Sequence, residues 1–132
     1  MTIRAAILAA AALLAGAPAF AQTWPSRPIT LVVPFVAGSG TDTIARIISE
    51  KLAARLGQPV VVENKAGAAS AIGTVYVAKA EANGYTLLMT TSSAQVILPL
   101  IQPAGSLTYE SSDFSPIGLT AVLHPRQGVS AE

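Results

Sequence analysis

Ile29-Thr-Leu-Val-Val-Pro-Phe-Val-Ala-Gly-Ser-Gly-Thr-Asp42 passes from a β-branched run through a loop of small residues to the start of a helix. How this stretch is read decides the fold. Ile29 to Val33 is apolar except at Thr30 and is bounded by Pro28 and Pro34, the pattern of a strand buried on both faces. Pro34 to Asp42 breaks that run. From about Thr41 to Leu56, the residues Ile44, Ile47, Ile48, Leu52 and Leu56 recur at three- and four-residue steps. Arg46, Glu50 and Arg55 lie largely off that face, which predicts an amphipathic helix with its apolar stripe turned inward. Gly57 occupies the position that stops helices.

Working outward, Trp24 to Pro28 is a proline-punctuated lead-in with no helical period. On the other side, Val60 to Glu63 reads as a second strand, Asn64 to Ser70 as a loop of small residues, and Ala71 to Ala80 as a second helix. Asn83-Gly84 signals a turn, and Tyr85 to Thr90 a third strand. Strand, helix, strand, helix, strand calls for an α/β fold: a parallel sheet, right-handed crossovers and flanking helices. Beyond Thr91 the signal weakens. Ser93 to Leu100 reads as a short helix ended near Pro99 and Pro103, Gln102 to Ser112 as loop, and Ile117 to Leu123 as a further strand. The α/β unit is therefore expected over residues 22–123, with an irregular tail over 124–132.

The first 21 residues follow a different logic. Arg4 is their one charge, Ala5 to Ala15 is an unbroken apolar run, and Ala19-Phe20-Ala21 supplies an A-x-A site. These are the parts of a secretory signal peptide, with cleavage expected after Ala21 and export to the periplasm. A membrane anchor needs roughly 20 apolar residues, and Gly16 and Pro18 interrupt this run early.

The chain has 132 residues, 52% hydrophobic and 11% charged, too apolar for a disordered segment. Without Arg4, seven basic residues face seven acidic ones, so no basic stripe exists to hold nucleic acid. There is no cysteine, and one histidine, His124, so neither a disulfide framework nor a metal site is expected. Gly38-Ser39-Gly40 is not G-x-G-x-x-G, because position 43 is Thr, and no Lys follows at P-loop spacing. Ser92 and Ser93 lack a nucleophile-elbow frame. The carboxylates Asp42, Glu50, Glu63, Glu81, Glu110 and Asp113 are scattered over many elements, so no acid–base pair is expected.

In open parallel sheets, ligands sit beyond the carboxyl ends of the strands. Three loops leave those ends: Pro34 to Asp42, Asn64 to Ser70 and Thr91 to Ser93. Gly38 and Gly40 allow close backbone approach, and the helix after them offers free N–H groups and the positive end of its dipole. Together they predict an anion site that needs no cationic side chain. Hydroxyls of Ser39, Thr41, Thr91, Ser92 and Ser93 add donors. Against this stands a plainer reading, in which the glycines form only a tight turn and Ser39 or Thr41 caps the helix. Asp42, in the first helical turn, is expected to orient donors rather than touch a like charge.

Trp24-Pro-Ser-Arg-Pro-Ile29, Val33-Pro-Phe-Val-Ala-Gly38 with Asp42, and Leu56-Gly-Gln-Pro-Val-Val-Val-Glu-Asn64 form an ordered series. Gly67-Ala-Ala-Ser-Ala-Ile-Gly73, Asn83-Gly-Tyr-Thr-Leu-Leu88 and Asp113-Phe-Ser-Pro-Ile117 continue it. The series resembles the tripartite tricarboxylate transporter substrate-binding family, the Bug receptors, from Trp24 to about Leu119. The resemblance implies a type 2 periplasmic binding protein fold, in which two α/β domains close on a small organic acid. It implies partnership with membrane transporter subunits, and neither a cofactor nor catalysis. Carried over, it makes Phe35, Ala37, Gly38, Ser39, Gly40, Thr41 and Asp42 the loop that holds a ligand carboxylate. Thr91, Ser92 and Ser93 face the same cleft, and Gly67, Ala68 and Ser70 lie at its rim. Ser39, Ala69 and Ser70 stand where the family usually has glycine, and Leu98-Pro99 where it has Asn-Pro. Family chains are over twice as long, so the resemblance implies the first domain only, one wall of a cleft that binds weakly or not at all alone. The rival readings are a nonfunctional truncated remnant and, less favoured, an enzyme using the glycine loop as its anion site.

Overall fold

The computed structural model describes residues 23–103 and 107–122; the expected leader over 1–21 and tail over 124–132 lie outside them. Strand β1 (Ile29–Val33) is the middle of a three-stranded sheet, flanked by β2 (Val60–Asn64) and β3 (Thr86–Leu88) in the order β2-β1-β3. Both pairings are parallel, with Ile29 opposite Val60 and Thr30 opposite Thr86. The central place explains the near-continuous apolar run. Ile29, Val32 and Val33 have no exposed surface, because neighbouring strands cover both edges and helices cover both faces.

Helix α1 (Gly40–Leu56) carries the chain from β1 to β2, and α2 (Ala71–Ala78) carries it from β2 past β1 to β3. The two crossovers travel in opposite directions, so right-handedness puts their helices on opposite faces. Leu31, Val33, Ala45 and Met89 form the buried core of one face, with Phe35, Ile44, Ile48, Val60, Val62 and Leu87 packed against it. Helix α2 packs on β1 and β3. It comes so close that a Cβ on Gly73 would stand 2.8 Å from both the Lys65 carbonyl oxygen and the Pro34 Cβ. Helix α1 ends as expected at Gly57, which is left-handed (φ 68°) and returns its N–H to the Ala53 carbonyl at 3.0 Å.

The buried stripe of α1 differs from the one the hydrophobic spacing predicts. It runs through Asp42, Ala45 and Ser49, while Ile47 is 53% exposed and Ile44 and Ile48 flank the stripe. Small residues at 45 and 49 let the helix lie near the sheet, and the interactions of Asp42 described below fix its rotation. Strand β3 is shorter than the expected Tyr85 to Thr90, and α2 stops at Ala78 rather than Ala80. The expected strand over Ile117 to Leu123 does not form in the described residues. The chain from 114 to 122 pairs with nothing in the sheet, and Ile117 and Leu119 are each 84% exposed. Alternation alone makes no strand without a ladder partner. After β3, Ser93–Ile97 forms a π-turn that runs into the four-residue helix α3 (Leu98–Ile101).

Candidate functional site

A sheet ordered β2-β1-β3 has its switch point between β1 and β3, where the connection from β1 leaves toward β2 and the one from β3 enters no further strand among the described residues. The loops there must part, and a crevice opens beyond the strand ends. The β1–α1 loop forms one side. Gly38 takes φ 83°, and Ser39 is extended (φ −66°, ψ 161°) and caps α1, its Oγ accepting the Asp42 N–H at 3.2 Å. Ser39 thus sits in the loop without backbone strain, since the left-handed residue is its neighbour.

Asp42 is the post to which this loop is tied. Its buried carboxylate accepts the Gly38 N–H at 2.8 Å, Arg46 Nε at 3.0 Å and Asn64 Nδ2 at 2.9 Å. Asn64, at the end of β2, also donates to the Phe35 carbonyl at 3.2 Å and accepts from Arg46 Nη2 at 3.2 Å. Loop, helix and neighbouring strand are therefore joined through one side chain. The Arg46 guanidinium first, then the Gly38 N–H and the Asn64 amide, hold the Asp42 carboxyl down at about 2, from an ordinary 3.8. The Gly38 and Asp42 amides are thereby occupied, leaving those of Gly40 and Thr41 as the first-turn donors of α1 with no intrahelical acceptor.

Opposite lies the segment after β3. Thr91 Oγ1 accepts the Ala94 N–H at 3.3 Å, opening the turn that carries Ser93 to Ile101. The third side is the β2–α2 loop, where Ala68 (φ 45°), Ala69 (φ 53°) and Ser70 (φ 81°) are left-handed in succession. For residues with a Cβ this is costly backbone, and it closes by Thr74 Oγ1 donating to the Ser70 carbonyl at 2.9 Å. The Ser70 hydroxyl is buried and has no hydrogen-bond partner.

Two cavities share this crevice. One of about 570 Å³ is lined by the predicted Phe35, Ser39, Gly67, Ser70, Thr91 and Ser93. A second, of about 390 Å³, is lined by Thr41, Thr91, Ser92 and Ser93, with Gly118 to Val122 as its outer wall. Ala37, Gly38, Gly40, Asp42 and Ala68 line neither. Sequence reasoning missed the apolar wall of the larger cavity, which comes from Val36, Ala69, Ala94, Ile97, Leu98 and Ile101. Its signal was present: Val96 to Ile101 is apolar but for Pro99. Among the described residues no group of three His, Cys, Asp or Glu side chains is placed to hold a metal, and no helix is long and apolar enough to cross a membrane.

Residues 44–122 match the family described as tripartite tricarboxylate transporter family receptor. The chain belongs to that receptor family. The family is one of solute-binding receptors rather than enzymes, and its solved members are periplasmic binding proteins. Protein BugT of Bordetella pertussis is 51% identical over 84 residues, which are 64% of this receptor chain and 26% of BugT. MatC of Rhodopseudomonas palustris, solved with bound malate, superposes with a TM-score of 0.69 at 37% identity over 74% of this chain and 33% of its own. Rpa4515 of R. palustris, solved with adipate, gives a TM-score of 0.52 at 44% identity over 53% and 23%. The chain thus spans about a third or less of the length of the relatives it matches.

Proposed function

We propose that this chain forms one wall of a periplasmic receptor that captures a small carboxylate and presents it to a tripartite membrane transporter. It is exported by the leader over 1–21, cleaved after Ala21, and residues 22–123 are the first α/β domain of the receptor. One observation carries the reading: loops leaving β1 and β3 converge at the switch point with neutral donors. Ser39, Ser70, Thr91 and Ser93 line the larger cavity, and the Gly40 and Thr41 amides sit at the positive end of α1. Relatives solved with malate and adipate point the same way. In this reading Phe35, Ser39, Gly40, Thr41, Gly67, Ser70 and Thr91 to Ser93 contact the ligand. Gly38 and Asp42 hold the loop in shape, and Ala37 and Ala68 supply backbone at its rim.

Because a single wall excludes little water, its affinity is millimolar rather than micromolar. The test is to recover the chain from the periplasm of a bacterial host and titrate it with malate, adipate and a neutral sugar while following its amide resonances. An N-terminus at Gln22 and carboxylate-specific shifts at Ser39 to Thr41 and Thr91 to Ser93 are expected. Equal shifts with the sugar, or none with either acid, reject the receptor reading.

A further inference from the structure

Phe35 and Ser39 of the β1–α1 loop and Gly67 and Ser70 of the β2–α2 loop line the same larger cavity. Its shape therefore depends on how these two loops stand to each other. Their roots are fixed by backbone, since the Lys65 N–H donates to the Val33 carbonyl at 2.9 Å. Beyond that point the connection passes to a side chain. Asn64 is the last residue of β2, directly before the second loop. An amide side chain has two N–H donors and one acceptor oxygen, and here each is used. Nδ2 donates to the Phe35 carbonyl at 3.2 Å and to Asp42 Oδ1 at 2.9 Å, while Oδ1 accepts from Arg46 Nη2 at 3.2 Å. The carbonyl and the ionised carboxylate only accept and the guanidinium only donates, so no other side chain of this size meets all three. Neither Asn64 nor Arg46 lines either cavity.

Resting on the carboxylate-receptor reading, we infer that Asn64 is a positioning residue of the binding site, one that sets the spacing of the two loops without touching the ligand. Asp42 orders the first loop within itself; Asn64 holds that loop against the second. Loops held in place before the ligand arrives need not be ordered by it, so the loss of Asn64 is read in affinity and not only in stability.

The test is a titration of the whole chain with malate at pH 7, read by amide chemical shifts at a temperature where circular dichroism shows each variant folded. Asn64→Asp keeps the size and the bond from Arg46, but it loses both donors and sets a second carboxylate against Asp42. It should weaken malate about tenfold. Asn64→Ser, which adds no charge and has one donor at most, should do the same and serves if Asn64→Asp does not fold. Arg46→Gln leaves both Asn64 donors in place, and the ion pair it removes is screened on a side chain 55% exposed. It should weaken malate less than about threefold. Adding Asp42→Asn to Asn64→Asp restores a donor facing an acceptor and should recover about threefold of the loss, a rescue that a general role in stability would not give in a folded sample. Native affinity in Asn64→Asp and Asn64→Ser, or an equal loss in Arg46→Gln, overturns the inference while leaving the receptor reading intact. No shift with malate in the native chain overturns both.

Discussion

Asp42 and Ser70 illustrate two ways in which one residue shapes the crevice. Asp42 is depressed to about 2 by Arg46, Gly38 and Asn64, so the folded state favours the ionised form more than the unfolded chain does. Its stabilising contribution is complete above the ordinary value near 3.8 and is lost as pH falls from there through about 2. Thermal unfolding followed across that window should show the midpoint dropping toward acid. Asp42→Asn should lower the midpoint at neutral pH and remove most of that slope; a variant that keeps the full slope would place its origin elsewhere. Ser70 acts in the opposite sense. Its left-handed backbone (φ 81°) and unpartnered hydroxyl both weaken the fold. Ser70→Gly is therefore expected to raise stability by about 1 kcal/mol in urea unfolding even as it weakens ligand binding. A residue with a purely structural role would not give opposite signs in the two measurements.

At the scale of elements, close approach matters more than apolar content. Gly73 brings α2 against Pro34 and the Lys65 carbonyl, so Gly73→Ala should destabilise by roughly 1–3 kcal/mol through overpacking. In α1, the contrast between stripe and pattern is testable directly. Ile29→Ala, in the fully buried central strand, should cost roughly 2–5 kcal/mol. Ile47→Ala, half exposed on α1 despite its place in the periodic pattern, should stay within about 0.5 kcal/mol. Comparable losses at the two positions would mean that α1 is rotated from the orientation that Asp42 and Ala45 fix.

At the scale of the described molecule, Leu100, Ile101, Ile117 and Leu119 are each more than 70% exposed, and Ile101 and Leu119 line the two cavities of the crevice. Exposed apolar side chains at a cavity are suited to binding. The chain should enhance the fluorescence of an anilinonaphthalene sulfonate dye at neutral pH while retaining a cooperative thermal transition. Leu100→Ser with Leu119→Ser should cut that enhancement by more than half; an unchanged signal would trace dye binding to another surface.

The amino-acid order by itself determined the α/β alternation, the central strand, the end of α1 at Gly57 and the loops at the strand tips, because those features are local. Each depends on period, on proline and glycine punctuation, or on a capping residue within a few positions. The rule for parallel sheets and the family resemblance already brought the loops after β1 and β3 to one cleft; the tertiary structure alone decided which of their residues line it. Direction of crossover placed β1 beside β3, so Ser39 and Thr91 face one crevice although about fifty residues separate them. It also committed the Gly38 amide to Asp42, turned Ile47 outward and left the 117–122 segment without a ladder partner. None of these was legible from local pattern, since a hydrogen-bond donor or an apolar side chain acquires its role from a neighbour distant in sequence.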